Sequence, residues 1–598
     1  MEGTRAPAAP VPAWFLLATV GASGAAVMIV EMTAVRTLQP FFGSTTLVWT
    51  NVIAVVLAAL AAGYALGGRL ADRRPSAALL FALLAAGGLL VAAGAHLVTP
   101  VSRLFLHEGV DLEGLASVLT RGSLGASLLL FAPPLLLLGA VSPMAIRLLA
   151  DRGVGRAAGS VFGVSTAGSI AGTYLPTLVL VPHIGSRGSL LVAAGLLVLP
   201  AALGLALCSR PRRAAAAVAV LLAAGAATAD VRPGRGAPPL QDGGVATVLA
   251  ERESDVQYLT VRDDVFPGEP ARRVLTINEG VYTYHSLRVE GRVLTESRHY
   301  DDYSMLPFLL DLERGSELRA AVIGFACGVN VAQWRHFWEG PYRLRVEGAE
   351  LDPEVLALGR EFFDVPPDLR VAVGDGRPWL EALPAGTRYH VLVLDAFANE
   401  LYIPFHLGTR EFFELCRRRM EPGGLVAMNV YAVGDASPNL RALENTLATV
   451  FGSCVRVSQY RGENFVLVAR NGEEPPDLAR LSRESALRRF GDRPGLREWD
   501  RLLDMAAAAP EDSVVVTPRP DAPVLTDDHA PLEWMTDRFI GRLETSILDD
   551  PASERRDDLR ALLRRQDRAL AIIGVGWAAV LAAGWWSVRR DGGPARSS

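Results

Sequence analysis

Four short apolar runs between Leu318 and Asp395 constrain the fold more than any other part of this chain. They read ELRAAVIGFACGVN, VEGAELDPEVL, RVAVGDGRPWL and HVLVLDAF, each ending in glycine or a carboxylate before a helix-like pattern. Such an alternation predicts successive strand-to-helix units of a parallel sheet. Ligands of sheets of this kind lie at the carboxyl ends of the strands, so Gly324, Glu350, Asp375 and Asp395 are expected around one crevice.

Each residue type at those positions has a physical job. Gly324 and Gly328 flank the first strand-to-helix turn, where a missing side chain lets backbone N–H groups approach a ligand at a helix N-terminus. Glu350 closes the second strand, where a carboxylate can accept both hydroxyls of a ribose. Asp352 and Pro353 follow as an N-cap and first helical residue. Asp375 and Gly376 end the third strand, suited to an adenine amino group and close packing against it, and Asp395 ends the fourth. These features outline a nucleotide site. The turn alone is a weak signal, because GFACG is not GxGxxG, whereas four spaced strand ends are a strong one.

Half of the 598 residues are hydrophobic, too many for a wholly soluble chain. From Trp14 to Ala229 about seven apolar blocks approach bilayer-spanning length: Trp14–Val35, Val48–Leu66, Ala77–Val98, Leu124–Leu149, Val161–Val181, Leu190–Leu207 and a short, alanine-rich Ala214–Ala229. A further block, Leu570–Val588, follows the polar half and ends in Trp585, Trp586, Arg589 and Arg590. The arginine-bearing loops Arg69–Arg74, Arg147–Arg156 and Ser209–Arg213 fall on alternate connections, hence on one side, which the positive-inside rule makes cytoplasmic. If Ala214–Ala229 spans, the polar half lies outside; if it is re-entrant, that half is cytosolic. The basic end at Arg589 and Arg590 favours the first; an intracellular nucleotide and unpaired cysteines favour the second, and the cytosolic placement is preferred. The expected location is thus a cell membrane, with multiple passes. GYALGGRLADR resembles a major-facilitator loop, but one such loop among seven spans does not define a transporter.

A net charge of −5 gives no basic field for nucleic acid. Four dispersed cysteines supply neither a disulfide framework nor a zinc spacing, so no metal is expected. The organisation expected is a transmembrane helical domain over 1–230, a Pro/Gly-rich linker over 231–244, a small antiparallel β domain over 245–300, an α/β domain over 301–540 and a C-terminal transmembrane helix over 568–588. In the β domain, ATVLAERES, QYLTVRDD and RRVLTINEG alternate apolar and polar residues between turn signals. HYDDYSML, from His299 to Leu306, leads through a helix-like run into the α/β part, and TDDHAPLEWM forms an acidic turn near its end.

A short sheet, IGxxxG, a strand ending ELDPEV, then GDGR, then a strand ending in aspartate and YIPFHLGTREFF together resemble the spermidine synthase family of aminopropyltransferases. The likeness is greatest to members with hydrophobic spans ahead of that domain, and it covers roughly Ala246 to Glu533. It implies a Rossmann-like, methyltransferase-type fold with no prosthetic group, decarboxylated S-adenosylmethionine as donor, and putrescine or a related amine as acceptor. It also implies association into homodimers or homotetramers. By position, Gln257 matches a donor-binding glutamine, Glu350 the ribose acid, Asp375 with Gly376 the adenine turn, and Asp395 the proton acceptor.

The chemistry supports that last role. An alkylamine with a pKa of roughly 10 is protonated at neutral pH and cannot attack carbon until it loses a proton. A carboxylate can pair with the ammonium, orient it and accept the proton. For a second ammonium, Asp301, Asp302, Asp527 and Asp528 are available, with Tyr300 or Tyr303 as wall and hydroxyl; the alternative for these acids is a solvated loop. Two departures concern amine-binding acids. Cys327 stands where the family has the aspartate that holds the donor's amine, and Ala398 where it has a second aspartate after Asp395. They add weight to an alternative, an S-adenosylmethionine-dependent methyltransferase. A third reading is a transporter or sensor whose polar half binds a nucleotide or polyamine without turnover.

Overall fold

The computed structural model describes residues 11–43, 45–105, 117–208, 210–229, 240, 243–278, 284–295, 299–398, 401–432, 434–460, 464–550, 553 and 556–590. Most of the expected linker lies outside them. The chain divides into two compact units, one formed by Met1–Gly236 with Glu544–Ser598 and the other by Ala237–Leu543.

The first unit is helical. Among the described residues, five helices are long and apolar enough to cross a membrane: Ala13–Phe42, Thr46–Arg73, Ala77–Arg103, Ala132–Leu149 and Val154–Leu207. The fifth holds two of the apolar blocks read from the sequence, and its path kinks at Gly185, where φ is 70°. The seventh block is the helix Pro211–Ala229, and the C-terminal block lies within Arg556–Arg590. Small residues let these helices approach closely. A Cβ on Gly168 would lie 2.0 Å from the Gly21 carbonyl oxygen, and one on Gly172 2.2 Å from that of Ala25. Asn51 ties two segments together by donating to the Thr120 carbonyl (2.9 Å) and to Ser123 Oγ (2.8 Å). A cavity of about 670 Å³ in this unit is lined by Tyr64, Asp72, Ser142, Arg147 and Phe162, among others.

The second unit begins with a four-stranded antiparallel sheet in the order β1 (Val245–Glu253), β2 (Tyr258–Val265), β3 (Arg272–Ile277) and β4 (Ser286–Val289). Its apolar face, with Leu259, Val261, Leu275 and Ile277, packs on Val355, Leu358 and Phe363. An eight-stranded sheet follows, built from β5 (Glu317–Ile323), β6 (Arg343–Glu350), β7 (Arg370–Val373), β8 (Tyr389–Leu394), β9 (Met420–Tyr431), β10 (Cys454–Tyr460), β11 (Asn464–Arg470) and β12 (Ser513–Val516). Their order is β12-β10-β11-β9-β8-β5-β6-β7, with β7, β6, β5, β8 and β9 parallel and the rest antiparallel.

Both faces of this sheet are covered, which explains why its strands read as unbroken apolar runs. In β5, Leu318, Ala320 and Val322 enter one core and Ala321 and Ile323 the other. The strand order reverses between β5 and β8, so the crevice for a ligand opens there, at the carboxyl ends of these two strands.

The helix His299–Leu309 packs over one face of the sheet in an aromatic core with Trp334, Phe337, Trp338 and Trp499. Pro307 has no N–H to offer the carbonyl one turn back, that of Tyr303. Trp334 Nε1 donates to that carbonyl instead (2.8 Å), and Trp338 Nε1 donates to the Ser304 carbonyl (2.9 Å). A proline inside the helix is thereby tolerated, and the helix is fixed to its neighbour.

Candidate active site

Consecutive strand ends line the crevice. After β5 the chain turns sharply through Gly324 (φ 81°), Ala326 (φ 48°) and Gly328 (φ 64°) into the helix Val329–Trp338. Gly324 is required by a close approach as well as by its φ: a Cβ there would lie 2.3 Å from the Asp395 carbonyl oxygen. The Asp395 N–H in turn donates to the Ile323 carbonyl (2.8 Å), which locks the ends of β5 and β8 together. Gly376 is equally confined, since a Cβ would meet Ile323 Cγ2 at 2.2 Å.

Glu350, at the end of β6, is buried and receives the Ala326 N–H on Oε2 (2.8 Å) and the Asp352 N–H on Oε1 (3.1 Å). Burial raises its pKa above the usual carboxylate value, and these two N–H groups work against that rise. The side chain therefore supports the strained turn while ending its strand beside it. Asp352 caps the helix Pro353–Phe362, as the Asp-Pro pair predicts, accepting from Glu354 N (3.0 Å). It also accepts from Ser254 Oγ (2.5 Å) and from the side chain of Gln257, so Gln257 meets the large sheet through this aspartate.

Asp375 lies two residues beyond β7. Its Oδ1 caps Arg377 N (2.9 Å), and its Oδ2 pairs with His406 Nε2 (2.8 Å). Gly324, Glu350, Asp375 and Asp395 thus follow the adjacent strands β5, β6, β7 and β8, in the arrangement expected from the sequence.

Asp395 sits in a polar cluster that spacing along the chain did not foreshadow. Asn429, on β9, donates to its Oδ1 (2.9 Å), and His299 Nε2 lies 3.2 Å from its Oδ2. The side chains of His299 and Asp395 are each only 11% exposed, so this contact is sheltered from bulk water. Asn464 Nδ2 meets His299 Nδ1 at 3.1 Å. Tyr303 is fully buried beside the carboxylate, and its phenol is pushed well above its ordinary pKa by burial and by Asp395. His285 also faces this cluster; burial lowers its pKa to about 4, which keeps it neutral at pH 7. His299 opens the HYDDYSML segment, but nothing in its spacing pairs it with Asp395, Asn429 or Asn464.

Two of the acids expected to hold an amine, Asp301 and Asp527, have other partners. Asp301 is completely buried and accepts from Thr295 N (2.8 Å), Thr295 Oγ1 (3.1 Å) and Gln333 Nε2 (2.7 Å), bonds that hold its helix to the preceding loop and to the helix Val329–Trp338. Asp302 is buried too and borders an apolar cavity of about 20 Å³ with Met305, Leu306, Val466 and Val468. Its Oδ1 has no hydrogen-bond partner among the described residues, and burial, with Asp301 nearby, raises its pKa well above the usual carboxylate range. Asp527 forms a bidentate pair with Arg377 (2.7 and 2.6 Å) and accepts from Thr409 Oγ1 (2.7 Å), which places it with Asp375 rather than Asp395. Asp528 is exposed. Tyr300 donates its hydroxyl to the carbonyls of Tyr284 (3.1 Å) and His285 (2.9 Å).

Cys327 is buried among Leu259, Val355 and Leu358, and burial raises its thiol pKa far above the ordinary value. It is an apolar packing residue, with no thiolate character. Among the described residues, no group of three or more histidine, cysteine, aspartate or glutamate side chains has the arrangement to hold a metal ion.

Fold and strand ends define a class, the Rossmann-like α/β domains of the methyltransferase type, here in a chain that also carries membrane-length apolar helices. No family model matches the chain. Over 290 residues it is 27% identical to the probable polyamine aminopropyl transferase of Bifidobacterium longum (strain NCC 2705), covering 47% of this chain and 61% of that protein. Over 221 residues it is 26% identical to the polyamine aminopropyltransferase of Nitrosomonas europaea, covering 36% and 61% respectively. The chain therefore spans 61% of the length of each of these relatives. These matches support the resemblance to the spermidine synthase family that the sequence motifs carry. Among solved structures, a probable spermidine synthase from Corynebacterium glutamicum ATCC 13032 aligns over 97% of its own length and 46% of this chain, with 19% identity and a TM-score of 0.34.

Proposed function

We propose that the α/β domain is an aminopropyltransferase, moving the three-carbon aminopropyl group of decarboxylated S-adenosylmethionine to putrescine or a related amine. The observation that carries this reading is the unbroken row Asp395, Gly324, Glu350 and Asp375 at the ends of β8, β5, β6 and β7, in a domain whose curated relatives bear that activity in their names. The turn at Gly324 and Gly328, with Glu350, Asp375 and Gly376, would hold the adenosine part, with Gln257 at its margin.

Asp395 is assigned to the acceptor. The amine loses a proton to this carboxylate, its nitrogen forms a bond to the carbon beside sulfur, and the C–S pair returns to sulfur as methylthioadenosine leaves. A free alkylammonium, with a pKa of about 10, needs such a group at neutral pH. The helices of the first unit anchor the chain in a cell membrane, and the α/β domain faces the cytosol, where the nucleotide donor is found.

A second reading, methyl transfer from S-adenosylmethionine, is favoured by the burial of Cys327 and by the hydrogen bonds that occupy Asp301 and Asp527. One experiment separates the two. Purified full-length protein in lipid nanodiscs is given each donor with putrescine, and the nucleoside product is identified. Methylthioadenosine that is lost in Asp395→Asn supports aminopropyl transfer; S-adenosylhomocysteine supports methyl transfer; unchanged turnover in Asp395→Asn would refute the assignment of the base.

A further inference from the structure

None of the sequence motifs gives His299 a role, yet its Nε2 lies against the Asp395 carboxylate, beside Asn429 and the buried Tyr303. Asn429 donates to Oδ1 at 2.9 Å, and His299 Nε2 lies 3.2 Å from Oδ2. Each oxygen has its own partner, so the plane of the carboxylate is fixed. The other ring nitrogen, Nδ1, faces Asn464 Nδ2 at 3.1 Å. With Asn464 Nδ2 as the donor, Nδ1 accepts, and the ring proton sits on Nε2, on the side of Asp395. Both ring nitrogens thus face protein groups, Nδ1 the Asn464 amide and Nε2 the Asp395 carboxylate.

We propose that His299 is a positioning residue for Asp395 and that its protonation shuts the site to cationic acceptors. Neutral His299 rests against the carboxylate through Nε2, 3.2 Å away, and leaves it its full negative charge. Protonated His299 turns the contact into an ion pair. The charge that attracts an alkylammonium is then cancelled, and a positive group stands where that ammonium must enter. At a separation near 3 Å in a sheltered pocket this exchange is a large electrostatic change.

The other groups around His299 do not reproduce it. Tyr300 stacks on its ring at 3.9 Å between centroids, with the hydroxyl committed to backbone carbonyls, and Tyr303 meets it edge-on at 5.8 Å. Ahead of β4, His285 is held neutral by burial, with a pKa of about 4. From β9 and β11 come the neutral amides of Asn429 and Asn464. One turn along the same helix, burial raises the pKa of Asp302 well above the usual carboxylate range.

Two measurements on the full-length protein in nanodiscs test this, and only the second rests on the proposed aminopropyl transfer. In the first, nitrogen-15 spectra of ring-labelled histidine are followed from pH 5 to 9, with His299→Gln identifying the signal. The expected result is an Nε2–H tautomer when neutral and a titration midpoint that falls by about one pH unit or more in Asp395→Asn, from loss of a neighbouring negative charge. A midpoint that does not move between the two proteins would overturn the pairing.

In the second, methylthioadenosine release is measured against putrescine concentration at each pH. Wild type should show an amine KM that rises as pH falls through the His299 midpoint. His299→Gln keeps a neutral donor and cannot titrate, so its kcat at pH 8 should stay within a few-fold of wild type while its KM loses that rise. His299→Phe, without a donor, should lose about 10-fold or more in kcat. An acid rise in KM that persists in His299→Gln would refute the switch. Absence of methylthioadenosine from wild type would count against the aminopropyl reading, and the titration would then decide the pairing by itself.

Discussion

On the β5–β6–β7 side of the crevice, the residues proposed to hold the nucleoside are the ends of the strands themselves: a turn whose Gly324 touches the Asp395 backbone, Glu350 bonded to two N–H groups, and Asp375 capping the next helix. On the β8–β9 side, Asp395 is surrounded by side chains from four different elements: His299, His285, Asn429 and Asn464. One side is built by local backbone geometry, the other by tertiary convergence. The difference teaches that the proposed nucleoside site tolerates little change in backbone shape, whereas the acceptor site can be retuned by substituting single side chains.

That contrast can be broken by experiment, beginning where the largest effect is expected. Gly324→Val places a side chain into the Asp395 carbonyl at a φ of 81°. It should cost about 3 kcal/mol of stability or more and abolish nucleoside binding. Thermal unfolding and calorimetric titration with methylthioadenosine would show both losses; wild-type affinity in this variant would mean that the turn does not shape the site. Glu350→Gln is next. It keeps the side chain's size but removes its charge, and with it a charge-assisted acceptor. Methylthioadenosine should bind about 10-fold to 100-fold more weakly, with a much smaller change in melting temperature. A Kd within two-fold of wild type would remove Glu350 from the ribose.

The same contrast explains how much could be read from the chain alone. Strand ends, Asp352 as a helix cap and the parallel core of the sheet follow from local patterns, in which a run of apolar residues, a glycine and an acid recur at short spacing. His299 and Asp395 are brought together by the packing of the helix His299–Leu309 against the sheet, held by Trp334 and Trp338, and no short-range signal encodes that contact. Asp301 and Asp527 were expected at the acceptor because acids in loops can bind amines. In the fold they are acceptors for Thr295 and Gln333 in one case, and for Arg377 and Thr409 in the other. Composition predicts apolar helices of membrane-crossing length, but the kink at Gly185, which joins two apolar blocks within a single helical stretch, is a backbone event that hydropathy does not register.

Asp301→Ala should separate structural acids from functional ones. It leaves the Thr295 N–H and the Gln333 amide without their buried acceptor, at a cost of about 2 kcal/mol. The amine KM measured on the remaining folded protein should be unchanged; a rise of ten-fold or more would return Asp301 to the acceptor site.

The smallest expected effect concerns Asp302, and it has a definite sign. Its carboxyl is buried, with Oδ1 unpaired among the described residues, so its folded pKa lies well above the unfolded value of about 3.9. Between those two values the folded protein keeps a proton that the unfolded chain releases. The stabilising contribution is therefore complete below about pH 4 and is lost as pH rises toward the folded pKa. Asp302→Asn keeps the shape and cannot ionise. Its melting temperature relative to wild type should increase steadily from pH 5 to pH 8, at roughly 2–4 °C for each kcal/mol recovered. If the difference stays flat across that range, Asp302 is ionised in the folded protein, and a charged carboxylate on this helix becomes available to the second nitrogen of a diamine.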